Sequence, residues 1–315
     1  MITTEVLIIG GGPAGSACAR QLKQHKIDFL LLDKEEFPRN KTCAGWITPQ
    51  VLRDVNLDPE KYPGNFTRFT KFNVEIKQLR FTLRTQQYAI RRFEFDDWLN
   101  APVREHMVRH QVHEILLQGD RYVVDGEFSA RYLIGAGGTY CPVKRTLFAD
   151  VHPASTGKLI IAQEEEIQYP GASSTCRLWF MQDGLPGYAW YFPKSDGVIN
   201  IGVGGSVSGL KKKQDNLKRH WDRLVEKLYN LDLVRGFDFH PAGHSYYLRS
   251  RSSIPRSGNA FLVGDALGLA TLDMGEGIGP SIRSGLNAAN AIIHGTEYTL
   301  AGISRYSFPD LLGLR

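Results

Sequence analysis

The sequence is poor in several features that would each have marked a class of protein. It has four cysteines, Cys18, Cys43, Cys141 and Cys176, and no two of them form a Cys-x-x-Cys pair. That spacing suggests neither a disulfide framework nor a zinc site, and it fits a reducing cytoplasm. No apolar run approaches the length of a transmembrane helix. The apolar opening Val6-Leu7-Ile8-Ile9 is short and runs straight into glycines, so it reads as a buried strand and not a signal peptide. A lipid substrate would therefore be met from the surface. Charge is modest, with 38 Lys and Arg against 33 Asp and Glu, spread along the chain. This is no nucleic-acid footprint. Weak attraction to anionic membranes stays open, as does simple solubility. His106 and His110 have i, i+4 spacing but sit where a helix ends, among Arg104 and Arg109, with no acidic pattern, so they read as surface residues and no metal site is expected. No nucleophile elbow or Ser-His-Asp context is evident.

What is present points to nucleotide binding. The chain has 315 residues, 42% of them hydrophobic, which suits one large or two intimate domains. Residues 5–9 read as a strand buried on both faces. Gly10-Gly11-Gly12-Pro13-Ala14-Gly15 follows, then a helix over 16–24. Gly10, Gly12 and Gly15 satisfy G-x-G-x-x-G in the strand–turn–helix context it requires. Gly10 permits the tight turn, Gly12 lets a pyrophosphate approach the backbone, and Gly15 lets helix and strand pack closely. The helix N-terminus offers free N–H groups and a positive dipole end to phosphates. A second strand over 29–32 ends in Asp33, followed by Lys34. An acid there suits a free ribose, so NAD or FAD is expected and not NADP.

The far end of the chain decides between them. Asn259 to Gly264-Asp265 is another strand ending in Gly-Asp, followed by Gly275-Glu276-Gly277-Ile278 and a small-residue helix over 281–293. Here the sequence resembles the FAD-binding flavoproteins of the para-hydroxybenzoate hydroxylase group, which includes flavin-dependent halogenases and geranylgeranyl reductases. The resemblance implies that Gly264 and Asp265 hold the FAD ribityl and pyrophosphate, and that the helix opening at Gly275 to Ile278 points at the flavin ring. Two further segments match. Ala136 and Gly137, in Leu133 to Arg145, resemble the middle flavin-contacting motif, with Gly137 in place of the usual Asp and Cys141 in place of the usual Ser. That missing Asp argues against direct reduction by NAD(P)H. Arg92, three residues before Phe95-Asp96, matches the family's FAD-contacting arginine, with a solvated surface Arg as the other reading.

Two segments resemble the geranylgeranyl reductase-like branch. The loop Phe37 to Trp46 carries Cys43, Ala44 and Gly45, which the resemblance places near the flavin beside Lys41. A thiol there could be partly ionised, tune the ring or deliver a proton; a small buried apolar side chain is the equal alternative. Pro186 to Pro193 resembles the branch's substrate-site signature, P-x-x-Y-x-W-x-F-P, with the first Pro one residue too close to the Tyr. In a strand, Tyr188, Trp190 and Phe192 share one face. That face would be an aromatic wall for a flat or apolar substrate, and the alternative is a plain core strand. Strands over 158–167, 177–181 and 198–203 surround it, hairpinned at Gly184 and Ser195-Asp196-Gly197, and strands over 71–76 and 79–84 join them. A basic amphipathic helix spans 210–231, packed on this sheet or touching a membrane.

The expected architecture is α/β: a Rossmann-type FAD-binding domain with an inserted antiparallel β-sheet substrate domain, para-hydroxybenzoate hydroxylase-like. FAD binding falls to 1–64, 88–155 and 256–296, the substrate sheet to 65–87 and 156–255, and a tail to 297–315. The resemblance implies hydrogenation of isoprenoid carbon–carbon double bonds, with Cys43, Tyr188 and Trp190 as catalytic candidates and a redox protein or NAD(P)H as electron donor. An aromatic monooxygenase is the alternative, against which stand the missing Asp at Gly137 and the absence of a Pro in Leu272-Asp273-Met274. A flavin-binding electron carrier with little catalytic activity is the third. Relatives often continue with more helix, so the substrate channel is expected to be open or truncated.

Overall fold

The computed structural model of the chain describes residues 1–151, 158–250 and 253–313. Two sheets organise it. In the first, β1 (Ile2–Ile9) lies in the middle. It pairs in parallel with β2 (Phe29–Asp33) on one side and β9 (Phe128–Gly135) on the other. The register sets Ile8 opposite both Leu31 and Ile134. All three are fully buried, as expected of a parallel sheet covered on both faces. β6 (Met107–Arg109) extends the sheet beyond β2. β16 (Ala260–Leu262) adds to β9 in parallel, bringing the C-terminal part of the chain back to the first strands. Antiparallel additions complete the edge: β7 (Ile115–Gln118), β8 (Arg121–Val124) and β15 (Arg256–Ser257).

The helix after the glycine turn, α1 (Pro13–Gln24), begins earlier than expected because Pro13 itself fits the first helical position. Its small residues Ala14, Ala17 and Cys18 are buried against α7 (Ile278–His294). Contact is tight enough that a β-carbon on Gly285 of α7 would lie 2.1 Å from the Ala14 carbonyl oxygen. α3 (Arg92–Asn100) packs beside α1, with α2 (Pro49–Asp54) and α4 (Pro142–Leu147) as shorter supports.

The second sheet runs β14-β10-β13-β12-β11-β4-β5-β3. Its strands are β3 (Trp46–Ile47), β4 (Phe66–Ile76), β5 (Leu79–Ile90), β10 (Leu159–Gln168), β11 (Cys176–Phe180), β12 (Gly187–Pro193), β13 (Val198–Ser206) and β14 (Ala242–Tyr247). All pairs are antiparallel except β11 with β4. One face, carrying Ala189, Tyr191, Ile199, Ile201 and Val203, packs under Leu217, Trp221, Leu224 and Leu228. Those belong to α6 (Leu217–Asn230).

Several expectations change. The helix expected over 210–231 is two: α5 (Val207–Lys212) and α6. Gln214 takes φ +52°, and the Asn216 side chain accepts from the Arg219 amide at 2.9 Å, starting a new helix. The helix sits on the sheet, with its basic residues outward. β3 lies in the stretch assigned to the nucleotide-binding part yet pairs with β5 of the other sheet, and β5 runs past residue 87 to Ile90. The expected boundary at 155–156 falls outside the described residues. The tail is packed: Tyr298, Ile303 and Leu311 are buried, and the Tyr298 hydroxyl donates to the Leu262 carbonyl at 3.0 Å. α8 (Phe308–Leu311) lies against β5. Among the described residues, no helix is long and apolar enough to cross a membrane.

Candidate active site

A cleft of about 1230 Å³ opens where the C-terminal ends of β1, β2 and β9 meet the second sheet. At its first-sheet end Gly10, Gly12, Pro13 and Ala14 form the floor. Gly10 has φ +113°, and a β-carbon there would lie 2.5 Å from the Ala136 carbonyl oxygen. Gly15 does not line the cleft; a β-carbon on it would lie 1.9 Å from the Gly10 carbonyl oxygen, so it is the packing glycine of the turn. Gly12 differs: a β-carbon there meets nothing nearer than the Arg39 guanidinium at 3.7 Å and enters the cleft. Ser16 and Asn100 hold the turn, both bonding the Gly11 carbonyl at 2.8 Å.

Asp33 and Lys34 line the cleft, as expected. The Asp33 carboxylate already accepts the Gly11 amide at 2.6 Å and the Glu35 amide at 2.9 Å, which leaves further lone pairs for a hydroxyl. Ala136, Gly137, Asp265, Gly275, Gly277 and Ile278 line it too. Burial pushes the Asp265 carboxyl above its ordinary range, against the pull of Lys41 and Arg92. Gly264 stands behind the wall with φ +60°, its amide donating to Ser284 Oγ at 2.9 Å and fixing β16 to α7. Ala44 and Gly45 are not in the lining.

One placement overturns its expectation, and for another residue the alternative reading falls away. Glu276 does not face the cleft. Its buried carboxylate turns the other way, accepts the Gly279 amide at 2.6 Å and caps α7, beside a separate cavity of about 190 Å³. Arg92 is not a solvated surface residue. It is buried, lines the cleft and grips Asp96 through two bonds of 2.7 Å, with Arg39 a further 3.5 Å away. His110 likewise is no lone surface residue; its ring contacts Asp125 at 2.7 Å.

Cys43 reaches the cleft, and burial pushes its thiol up, with Arg92 opposing only in part. The ionised alternative therefore falls away and a neutral thiol remains. The aromatic row is real but mostly inside. None of Tyr188, Trp190 and Phe192 is in the cleft lining: Trp190 and Phe192 are 6% and 2% exposed, and Tyr188 is half-buried. The Trp190 indole donates to Asn200 at 2.8 Å, so its N–H is committed. The Tyr188 hydroxyl donates to the Met274 carbonyl at 2.6 Å, and Phe192 packs 5.8 Å from both Phe69 and Phe72.

The strand register ties that row to the cleft. Ala162 sits opposite Gly204, which sits opposite Tyr188, and His244 lies across from Ala162 on the other side. Directly opposed residues share a face, so Tyr188 is on the side that carries the cleft-lining Ala162, His244 and Tyr246. His244 and Tyr246 escaped the sequence reading; their i, i+2 spacing in Ala242–Tyr247 was the available signal.

Residues 159–235 match the model of the geranylgeranyl reductase catalytic domain, and residues 8–58 match an NAD(P)-binding Rossmann-like domain. An uncharacterized protein of Methanosarcina barkeri is 32% identical over 308 residues, covering 91% of this chain and 74% of that one. The chain belongs to the geranylgeranyl reductase family. A menaquinone reductase of Mycobacterium tuberculosis is similar at 29% identity, over 92% of this chain and 76% of its own. Among solved structures, a geranylgeranyl bacteriochlorophyll reductase-like protein of Thermoplasma acidophilum superimposes with a TM-score of 0.82 at 21% identity, covering 94% of this chain and 79% of that one. A myxobacterial chondrochloren halogenase, one of the FAD-dependent halogenases, shares the fold at a TM-score of 0.72 and 18% identity, over 97% and 77%. In this geranylgeranyl reductase family member, the catalytic-domain match runs from β10 through α6, the stretch that supplies Ala162, Tyr188 and the inner aromatic row.

Proposed function

We propose that the protein is an FAD-dependent reductase that saturates carbon–carbon double bonds of an isoprenoid or similarly apolar substrate. The observation that carries this reading is the single cleft joining a dinucleotide turn to the face of the second sheet that bears Tyr188, His244 and Tyr246. Its volume of about 1230 Å³ exceeds the roughly 300–1,000 Å³ usual for one ligand, leaving room for cofactor and substrate together.

The residues fit FAD on their own geometry. The Gly12 position is a cradle that a β-carbon would enter, above the N-terminus of α1. Gly10, Pro13, Ala14 and Gly15 shape that turn for the pyrophosphate. Asp33 would take ribose hydroxyls, and Asp265 with Gly275, Gly277 and Ile278 would meet the ribityl and ring. Arg92, Ala136 and Gly137 would flank it, with Cys43 at the ring's side as a neutral thiol. When bound, reduced flavin supplies hydride chemistry. The chain's part is to orient the apolar substrate along Tyr188, to exclude water with the aromatic row behind it, and to supply a proton. The electron donor is a pyridine nucleotide or a redox protein.

The test is anaerobic. Flavin-loaded protein reduced with dithionite should be reoxidised when a geranylgeranyl compound is added. No reoxidation, with substrate-stimulated NADPH and oxygen consumption in air, overturns the reading in favour of a monooxygenase. A companion variant, Gly12→Val, should fold as the parent does but purify without yellow cofactor, because its side chain has space in the protein yet fills the phosphate cradle. Yellow, FAD-loaded G12V would refute the nucleotide assignment.

A further inference from the structure

Saturating a double bond needs a proton as well as a hydride, and the cleft's obvious acids are poor sources. Cys43 is a weakly acidic buried thiol, and Tyr188 is tied to the Met274 carbonyl. β10 offers another group. Ala162, Glu164 and Glu166 alternate onto the cleft face of the second sheet. Glu164 lies opposite Gly202, and Gly202 opposite Trp190, one row along from Ala162–Gly204–Tyr188. Gly202 has no side chain to separate them: a β-carbon there would lie 2.8 Å from Glu164 Cβ and 2.1 Å from the Trp190 ring. Glu164 is therefore 3% exposed, and its Oε1 has no hydrogen-bond partner. A buried carboxyl oxygen without a partner on the substrate face is costly unless it serves a purpose.

Its surroundings are arranged for holding and regaining a proton. The Lys194 ammonium, with a side chain 1% exposed, pairs with Glu166 at 2.5 Å and stands 2.9 Å from where a Gly45 β-carbon would be, in the Cys43 loop. Glu166 in turn accepts from Arg91 at 2.7 Å, and both are partly open to solvent. The other charged or titratable groups facing Glu164 are Lys41 and Cys43 from the loop, Arg92 from α3, Tyr188 from β12 and Tyr246 from β14.

We propose that Glu164 is the proton reservoir of the site, supplying through one water the proton that accompanies hydride transfer. The proposal rests on the reductase reading above. Two residues along a strand span roughly 7 Å, so one water bridges Glu164 to the cleft surface at Ala162. As the substrate's π bond breaks, one carbon takes the hydride that reduced flavin gives up and the other takes the proton released from the Glu164 O–H. The two electrons would come from the bound, reduced flavin, and Glu164 is left as a carboxylate near the Lys194 ammonium. Water returns the proton along the Glu166–Arg91 edge. Burial supports this use, since it pushes the Glu164 carboxyl up to about 8 and keeps it protonated at neutral pH.

The test compares flavin-loaded wild type with Glu164→Gln and Glu164→Asp. Infrared pH titration should find a protonated-carboxyl band in the wild type that E164Q lacks. E164Q should keep its flavin yet reoxidise it about 10²–10⁴-fold more slowly with substrate. It should also lose the basic limb of the wild-type pH profile, and E164D should recover part of the rate. A wild-type rate and pH profile in E164Q, or a carboxyl band unchanged by the substitution, overturns the proposal while leaving the reductase reading intact. A wild type whose reduced flavin no polyprenyl substrate reoxidises overturns the reductase reading, and this proposal with it.

Discussion

Gly202→Ala tests the packing of the second sheet more sharply than any change in the cleft. Gly202 is buried in β13, between Glu164 on β10 and Trp190 on β12. The added β-carbon would fall 2.1 Å from Trp190 Cζ2 and 2.5 Å from Cε2. An indole ring has no flexible end to swing aside, so the whole side chain must turn. Turning it strains the rotamer, at about 1–3 kcal/mol. It also breaks the 2.8 Å bond from the indole N–H to Asn200, and leaving that buried acceptor unpaired adds about 1 kcal/mol. Against this, alanine in a strand gains roughly 0.5–1 kcal/mol of chain entropy over glycine. The net expectation is a loss of about 1–3 kcal/mol.

The control is Gly243→Ala on β14, whose β-carbon meets only the Ala162 carbonyl oxygen at 3.8 Å. It should leave stability unchanged or raise it by up to about 1 kcal/mol. Both variants can be followed by urea unfolding with tryptophan fluorescence as the probe, since Trp190 is itself a reporter. The midpoint should fall for G202A with little change in slope. G202A as stable as G243A would refute the claim that a glycine is needed for the indole to lie across the sheet.

Two further outcomes follow from buried charge. Arg92→Ala leaves the fully buried Asp96 carboxylate only the Arg39 contact at 3.5 Å and should cost up to about 3–5 kcal/mol in chemical denaturation, with Asp96→Asn in the same chain restoring part of it; an R92A protein as stable as the parent would refute the pairing. Glu164 gives a pH signature: the folded protein keeps a proton that the unfolded chain releases, so stability conferred at low pH is lost as pH rises from 4.5 through about 8. Glu164→Gln should lack this component of the pH dependence and gain about 3–6 kcal/mol on the wild type at the alkaline end of that window. Parallel stability–pH curves for the two proteins would count against a buried neutral carboxyl.

What the sequence disclosed was whatever depends on near neighbours in the chain. The Gly10 to Gly15 turn, Asp33 at the end of β2 and the two-residue period of Tyr188, Trp190 and Phe192 are local patterns, and they were legible. Burial set by distant strands was not. Glu164-Glu165-Glu166 falls in the strand expected over 158–167, but nothing near it in the chain tells that Gly202, brought alongside by β13, lets Trp190 cover the first of the three. The same limit made the aromatic row look like a cleft wall, when β4 supplies Phe69 and Phe72 to enclose Phe192. Glu276 matched a motif by position, yet its side chain had a nearer partner in the Gly279 amide. The break between α5 and α6 lay in Asp215-Asn216, a capping signal hidden inside an apolar period.

The distribution of charge in the cleft decides which end holds which molecule. Near α1, Arg92 is neutralised by Asp96, but Arg39 joins the same carboxylate from 3.5 Å and leaves that trio with a net positive charge. With Lys41 and the dipole end of α1 beside it, this end favours a pyrophosphate. Lys41 and Arg92 also face Glu164 and His244, so what sets the first end apart is Arg39 and the helix dipole. Lys194 is matched by Glu166, Glu164 is held neutral, and burial drives His244 down to about 4, so its ring is uncharged as well. An anionic dinucleotide bound the wrong way round would leave its phosphates without Arg39 and the end of α1, among the buried neutral Glu164 and His244 groups, at a cost of several kcal/mol. An apolar chain meets no such penalty at the Tyr188 end and gains by leaving water. On the proposed reductase reading, the Arg39 end suits the cofactor's phosphates and the far end an uncharged substrate, with which the neutral Glu164 carboxyl is compatible where a carboxylate would not be.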